Sequence, residues 1–259
     1  MKFSICIGGL TYNITCLTGQ FYEEHGKPYE CPYSEDACSL SVTEDTLKAY
    51  PYYDSRLSIC ANETVYLLDS VIRHCLDHNR MIIHGAAIAC HGSGYLFAAP
   101  SGTGKTTHIG LWEKYLDGVE IINGDKPMLN FDKGITVCGT PWNGKENLGG
   151  NLSAPLKAIV VLKQGKKNLF QRLDAEASVI ALLQQSFYPV DKVCGPKTVA
   201  YIGKIVNSIP IFSLECDISK EAFEVCYNGL RAFAAEGTAE PATGKDGGES
   251  RTDAKNSDR

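Results

Sequence analysis

Apolar residues recur along the chain at two spacings, every second residue and every third or fourth, and the changes between them mark the predicted elements. The apolar run from Met1 to Leu10 is broken by Thr11, Tyr12 and Asn13 before it reaches the length of a secretory core, so it reads as a first β-strand. The rest of residues 1–62 mixes β-rich pieces with polar loops. Pro32 and Pro51 make Tyr29–Tyr33 and Ala49–Tyr53 loop or edge segments. From Glu63 to Leu76 the spacing of Val65, Leu68, Val71 (or Ile72) and Cys75 predicts a helix. Met81–Ile83 and Ala86–Ala89 are short strand signals, His91–Gly94 is a turn, and Tyr95–Ala98 is a buried strand. A glycine-rich loop follows. Then comes a helix from about Lys105 to Leu116, with Ile109, Trp112 and Leu116 on its apolar face.

The second half continues the alternation of strand and helix. Val119–Ile122 is a strand, and Met128–Phe131 with Ile135–Cys138 forms a hairpin around Asp132-Lys133-Gly134. Leu156–Leu162 is the strongest buried strand of the chain, and Asn168–Leu173 is expected to pair with it. Asp174 caps a helix that runs to about Phe187. Residues 197–208 predict another helix, Ile209–Leu214 a strand and Ser219–Ala234 a last helix. Residues 236–259 hold no Val, Ile, Leu, Met or aromatic side chain to offset the entropy of ordering, so a disordered tail is expected there. The division is a small β-rich region over 1–62, an α/β domain over 63–235 and a tail over 236–259.

Composition narrows the function classes. With 44% apolar and 21% charged residues the chain supports a packed core and is not globally disordered. A net charge of -5 argues against nucleic acid as a partner, and no stretch approaches the 18 or so apolar residues of a membrane span. The eleven cysteines include no C-x-x-C pair, which excludes a zinc ribbon or a thioredoxin-type site. They read as small buried hydrophobes in a reducing compartment, and a cytoplasmic location is expected.

The informative segment is Ala99-Pro100-Ser101-Gly102-Thr103-Gly104-Lys105-Thr106-Thr107. It has the Walker A form with Ala in place of the first glycine. Such a loop turns successive N–H groups from Ser101 to Thr107 onto a polyphosphate. Lys105 would reach the β- and γ-phosphates, the Thr106 hydroxyl would meet Mg²⁺, and the helix N-terminus would face the same anion. The guanine-reading N-K-x-D pattern is absent, since Asn123-Gly124-Asp125-Lys126 has its letters in another order. Asp125, just past an apolar strand, is the candidate second metal ligand; otherwise it is a solvated turn residue. Lys126 holds a phosphate or is simply exposed. Gly139-Thr140-Pro141-Trp142-Asn143-Gly144-Lys145-Glu146-Asn147 is a second unusual loop. Lys145 there suits a phosphate and Glu146 a metal or an acceptor. Trp142 makes an apolar wall, or merely anchors the turn.

These residues resemble the HPr kinase/phosphorylase and ATP-type phosphoenolpyruvate carboxykinase superfamily, and within it the short HPr-kinase-like proteins. The likeness covers roughly residues 80–215 and rests on His84-Gly85-Ala86-Ala87, Tyr95–Ala98, Ser101–Thr107 and Ile122-Asn123-Gly124-Asp125. The 139–147 loop is similar to a Gly-Thr-Pro-Trp-x-Gly-Lys-Glu run of the short relatives. The resemblance implies an α/β fold in which a strand-rich mixed sheet with flanking helices carries the phosphate loop. It also implies ATP or another phosphoryl donor, Mg²⁺, and transfer to a hydroxyl of a small molecule, protein or peptide. His84 matches an active-site histidine, so Asp125, His84 and Lys105 are the implied catalytic set and Trp142, Lys145 and Glu146 the implied substrate contacts. Two departures stand out: Gly124 where the kinases have the first acid of a pair, and Thr107 where they have Glu. The missing acid keeps a second reading open, a nucleotide-dependent module that binds a peptide or protein without rapid transfer. The acceptor and the oligomeric state stay open.

Overall fold

The computed structural model describes residues 1–186 and 192–238. The N-terminal region builds a small sheet. Strands β1 (Lys2–Ile7) and β2 (Leu10–Thr15) form an antiparallel hairpin, and β3 (Cys38–Ser41) joins parallel to β2. Between β2 and β3 a short turn of helix covers Tyr22–Gly26. Helices α1 (Glu44–Ala49) and α2 (Ile59–Leu76) follow. Helix α2 starts four residues before its expected start at Glu63, because the Ser58 hydroxyl accepts the Ala61 amide at 3.1 Å and caps it. Its buried face also differs from the expectation. Val71, Ile72 and Cys75 point inward as expected, and the difference lies earlier in the helix, where Leu67 is buried and Val65 exposed.

The main sheet comprises β4 (Arg80–Ile82), β5 (Ala86–Cys90), β6 (Ser93–Ala98), β7 (Val119–Asn123), β8 (Met128–Asn130), β9 (Thr136–Cys138), β10 (Ser153–Gln164), β11 (Leu169–Arg172) and β12 (Ile211–Cys216). Its main path runs β4-β8-β9-β10-β6-β5-β7. Strand β10 is the spine. Its first residues pair antiparallel with β9, and the rest lies parallel between β6 and β12. A register shift between Leu156 and Ala158 separates these two halves. Beyond it Ile159 and Val161 enter one apolar cluster while Ala158, Val160 and Leu162 enter the other, which gives an apolar run its two buried faces. From its apolar pattern Asn168–Leu173 is expected beside β10. That place is taken by β12, and β11 instead lies antiparallel on the outer side of β12.

Helices α3 (Lys105–Tyr115) and α6 (Lys220–Thr238) cover one face of the sheet around Trp112, whose ring meets Phe97, Phe223 and Tyr227 at 5.5–5.8 Å between centroids. The other face belongs to α2, α4 (Ala175–Gln184), α5 (Cys194–Ser208) and the N-terminal sheet. Asp174 caps α4 as expected, accepting the Ala177 amide at 2.8 Å; the expected end of that helix at Phe187 lies outside the described residues. Most of the tail expected over 236–259 also lies outside them, although α6 continues to Thr238. One apolar cluster holds Ile5, Ile7 and Tyr12 of the small sheet together with Met81, Met128 and Trp142 of the main domain. All eleven cysteines are free thiols, seven of them buried. Among the described residues no helix is long and apolar enough to cross a membrane.

Candidate functional site

The site forms where β6, β7 and the ends of two loops meet. After β6 the chain turns through Pro100–Gly104 and enters α3. Gly102 and Gly104 take φ of +79° and +104°, left-handed values that a side chain disfavours, and a Cβ at either would meet nothing within 4 Å. No side chain caps the start of α3, so its first amides face the loop uncapped. The outer rim is pinned by Gln164, whose Nε2 donates to the carbonyls of Gly102 and Thr103 at 3.3 and 3.4 Å.

Lys105 folds back under this loop and is only 7% exposed. Its Nζ donates to the Ala99 carbonyl at 2.9 Å and lies 3.1 Å from Nε2 of His84. Burial pulls its pKa below the ordinary lysine value, a trend that Asp125 opposes. His84 sits between the two charges. Its Nε2 is also 3.1 Å from Oδ1 of Asp125, while Nδ1 meets the side-chain carbonyl of Gln185 at 3.2 Å. Asp125 pairs in addition with Lys126. Burial would raise the Asp125 carboxyl, but the His84 and Lys126 contacts outweigh it and hold the pKa at about 2. Lys105, His84, Asp125 and Lys126 therefore form one continuous polar chain at the floor of the site.

The position of Asp125 follows from Asn123. This fully buried side chain accepts the amides of Asp125 at 2.9 Å and Lys126 at 2.7 Å, so the backbone turns sharply as it leaves β7. Its Nδ2 donates to the Thr140 carbonyl at 2.9 Å, and the Thr140 hydroxyl donates to the Lys126 carbonyl at 2.7 Å. These bonds tie the strand end to the 139–147 loop. Trp142 locks that loop from the far side. It is buried, its Nε1 donates to the Thr64 carbonyl at 3.1 Å, and its ring lies 5.4 Å from Phe21. Lys145 and Glu146 are left exposed at the tip.

All these groups surround a cavity of about 870 Å³. It is lined by Ser101, Gly102, Gly104, Lys105, Thr106 and Thr107 of the glycine loop and helix start, by Asp125 and Lys126 after β7, and by Trp142, Lys145 and Glu146 of the 139–147 loop. Every residue singled out from the sequence reaches it except two. Thr103 turns toward a second, smaller cavity on the other edge of the loop, of about 390 Å³, which Thr107, His108, Leu111, Leu162 and Ile218 also line. His84 is not among the lining residues but contacts two that are, Lys105 and Asp125. The wall also contains residues that sequence reasoning passed over: Glu24 and His25 from the helical turn after β2, and Thr64 from α2. Nothing local marks Glu24 or His25. Their place depends on the contact of His25 Nδ1 with Asn147 Oδ1 at 3.2 Å, made across 122 residues.

No protein-family model and no curated protein matches the chain. Among solved structures it is similar to the Hpr(Ser) kinase/phosphatase from Coxiella burnetii, at 9% identity and a TM-score of 0.34, over 61% of this chain and 99% of that one. At that distance the likeness carries no argument, and the chemistry of the site is read from its own groups.

Proposed function

We propose that the protein is an ATP- and Mg²⁺-dependent phosphotransferase that passes a phosphoryl group to a hydroxyl of a small molecule, protein or peptide. The observation that carries this reading is the position of the Lys105 ammonium. It lies beneath a loop with two left-handed glycines, at the start of an uncapped helix, and is linked through His84 to a carboxylate at the next strand end. Uncapped amides, a helix N-terminus and a sunken cation together favour a polyphosphate. Ser101 to Thr107 would hold its phosphates in the larger cavity, and the smaller cavity beyond Thr107 suits the apolar face of a base.

The residues also suit Mg²⁺. This ion takes one or two carboxylates and completes its shell with phosphate oxygens and water, and Asp125 and Thr106 both line the cavity. Among the described residues no group of three His, Cys, Asp or Glu side chains would hold a metal without a ligand. When bound, the ion would neutralise charge on the phosphate oxygens. Lys105 would neutralise the transferring group, Lys145 on the cavity lining would meet the donor or the acceptor, and His84 would position Asp125 and Lys105. The module reading rested on the missing first acid at Gly124, and the same cavity serves it equally well. Incubation with Mg-[γ-³²P]ATP and a panel of metabolites and peptides separates the two. The proposal expects a labelled acceptor, with the signal lost in Asp125→Asn. ATP binding without any labelled product, or undiminished labelling by that variant, contradicts it.

A further inference from the structure

Three carboxylates line the large cavity: Glu24, Asp125 and Glu146. Two of them are occupied. Glu24 accepts a hydrogen bond from Gln20 at 2.6 Å and lies 3.8 Å from His25, while Asp125 is held by His84 and Lys126. Glu146 makes no hydrogen bond or ion pair among the described residues. It is exposed and lines the cavity.

The backbone explains why an acid comes from this loop and not from position 124. A Cβ at Gly124 would sit 2.7 Å from the Asn143 carbonyl and 3.2 Å from Leu148, so no acid fits there while the 139–147 loop packs in place. The same loop brings a carboxylate back. At Gly144, the point where a Cβ would lie is 3.8 Å from Cγ of Asp125 and 3.7 Å from Oε2 of Glu146. Both carboxylates therefore approach Gly144, and both line the cavity.

We infer that Glu146 is the proton acceptor of the transfer step, supplying from the loop the second acid that the strand end lacks. This rests on the phosphotransferase reading and adds the base to it. In the step, the acceptor O–H bond breaks and its proton passes to Oε2 of Glu146. The acceptor oxygen forms a bond to the γ-phosphorus of the nucleoside triphosphate, and the bond from that phosphorus to the bridging oxygen breaks, its electron pair leaving on the nucleoside diphosphate. Glu146 then returns the proton to water, to which it is open. Asp125 is poorly placed for this work because both its oxygens are already engaged, and His84 because its Nε2 meets Lys105 and Asp125 and its Nδ1 meets Gln185.

The test uses the full chain with Mg-[γ-³²P]ATP, excess glycerol as the hydroxyl probe and water as the competing acceptor. Product formation and Mg-ATP affinity are measured separately. Glu146→Gln is expected to lower kcat by about 100-fold or more, the usual worth of a general base, with the ATP Kd within about threefold of wild type. In Glu146→Ala, added formate is expected to restore part of the turnover, which a merely structural residue would not allow. Turnover by Glu146→Gln close to wild type, an equal loss of ATP affinity, or no response to formate each overturns the assignment. If wild-type protein binds ATP and forms no product with glycerol, water or any member of the metabolite and peptide panel, the phosphotransferase reading falls first and this step with it.

Discussion

The two loops that enclose the cavity are both rich in glycine, for opposite reasons. Around Gly102 and Gly104 there is space: an added Cβ meets nothing, and glycine is needed for the left-handed turn. Around Gly139 there is none. A Cβ there would lie 1.9 Å from the Gly150 carbonyl and 2.8 Å from that of Ile122, and Gly149 and Gly124 are crowded in the same way by Ile122 and Asn143. The first loop leaves its amides open to something outside the chain. The second is pressed into the sheet edge and pinned by Asn123, Thr140 and Trp142. An open loop and a packed loop thus differ in what surrounds their glycines, although their compositions look alike.

The contrast can be broken in order of effect. Gly139→Ala should be the most damaging change, costing more than about 3 kcal/mol because backbone atoms rather than flexible side chains stand in the way; a denaturant melt measures it, and a loss under 1 kcal/mol would remove the packing argument. Next is His108, one turn beyond Lys105 on the buried side of α3. Its Nε2 accepts from Trp112 at 3.2 Å, its Nδ1 has no partner, and burial lowers its pKa to about 4. Above about pH 6.5 it is neutral whether folded or unfolded. Below that the unfolded chain takes the proton first, so stability is lost as pH falls from about 6.5 towards 4. The expected loss between pH 7.5 and 5 is about 2 kcal/mol, and His108→Gln should flatten it. Asp125 titrates below this window, since its folded pKa is about 2 and its stabilising effect disappears only as pH falls from about 4 through that value. Smallest in stability is Gly102→Ala, about 1 kcal/mol of left-handed strain with no clash. The same variant should weaken ATP binding by at least about tenfold, so equal affinity in a calorimetric titration would mean that the loop holds no phosphate.

What could be read from the sequence was local. The turn chemistry of Ser101–Thr107, the strand before it, the carboxylate at Asp125 and the cap at Asp174 all lie within a few residues of the signals that announce them. The pairing of β11 was misjudged because one apolar run can sit beside any strand of the right length; only the arrival of β12, some forty residues later, decided it. On α2 the expected inward residues Val71, Ile72 and Cys75 are buried, and the difference lies earlier in the helix, where tertiary packing buries Leu67 and leaves the equally apolar Val65 exposed. The Lys105–His84–Asp125 chain joins residues 21 and 41 positions apart, and the approach of Glu146 to Asp125 depends on how the 139–147 loop crosses Gly124. Those contacts belong to the fold rather than to any motif.

The most direct measurement is calorimetric titration of Mg-ATP into wild-type protein and into Lys105→Met, which keeps the volume of the side chain and removes its charge. The account predicts binding by the wild type, a loss of about 100-fold or more in the variant, and an unfolded fraction unchanged between the two. No heat of binding to the wild type, or the same affinity without the Lys105 ammonium, would contradict it.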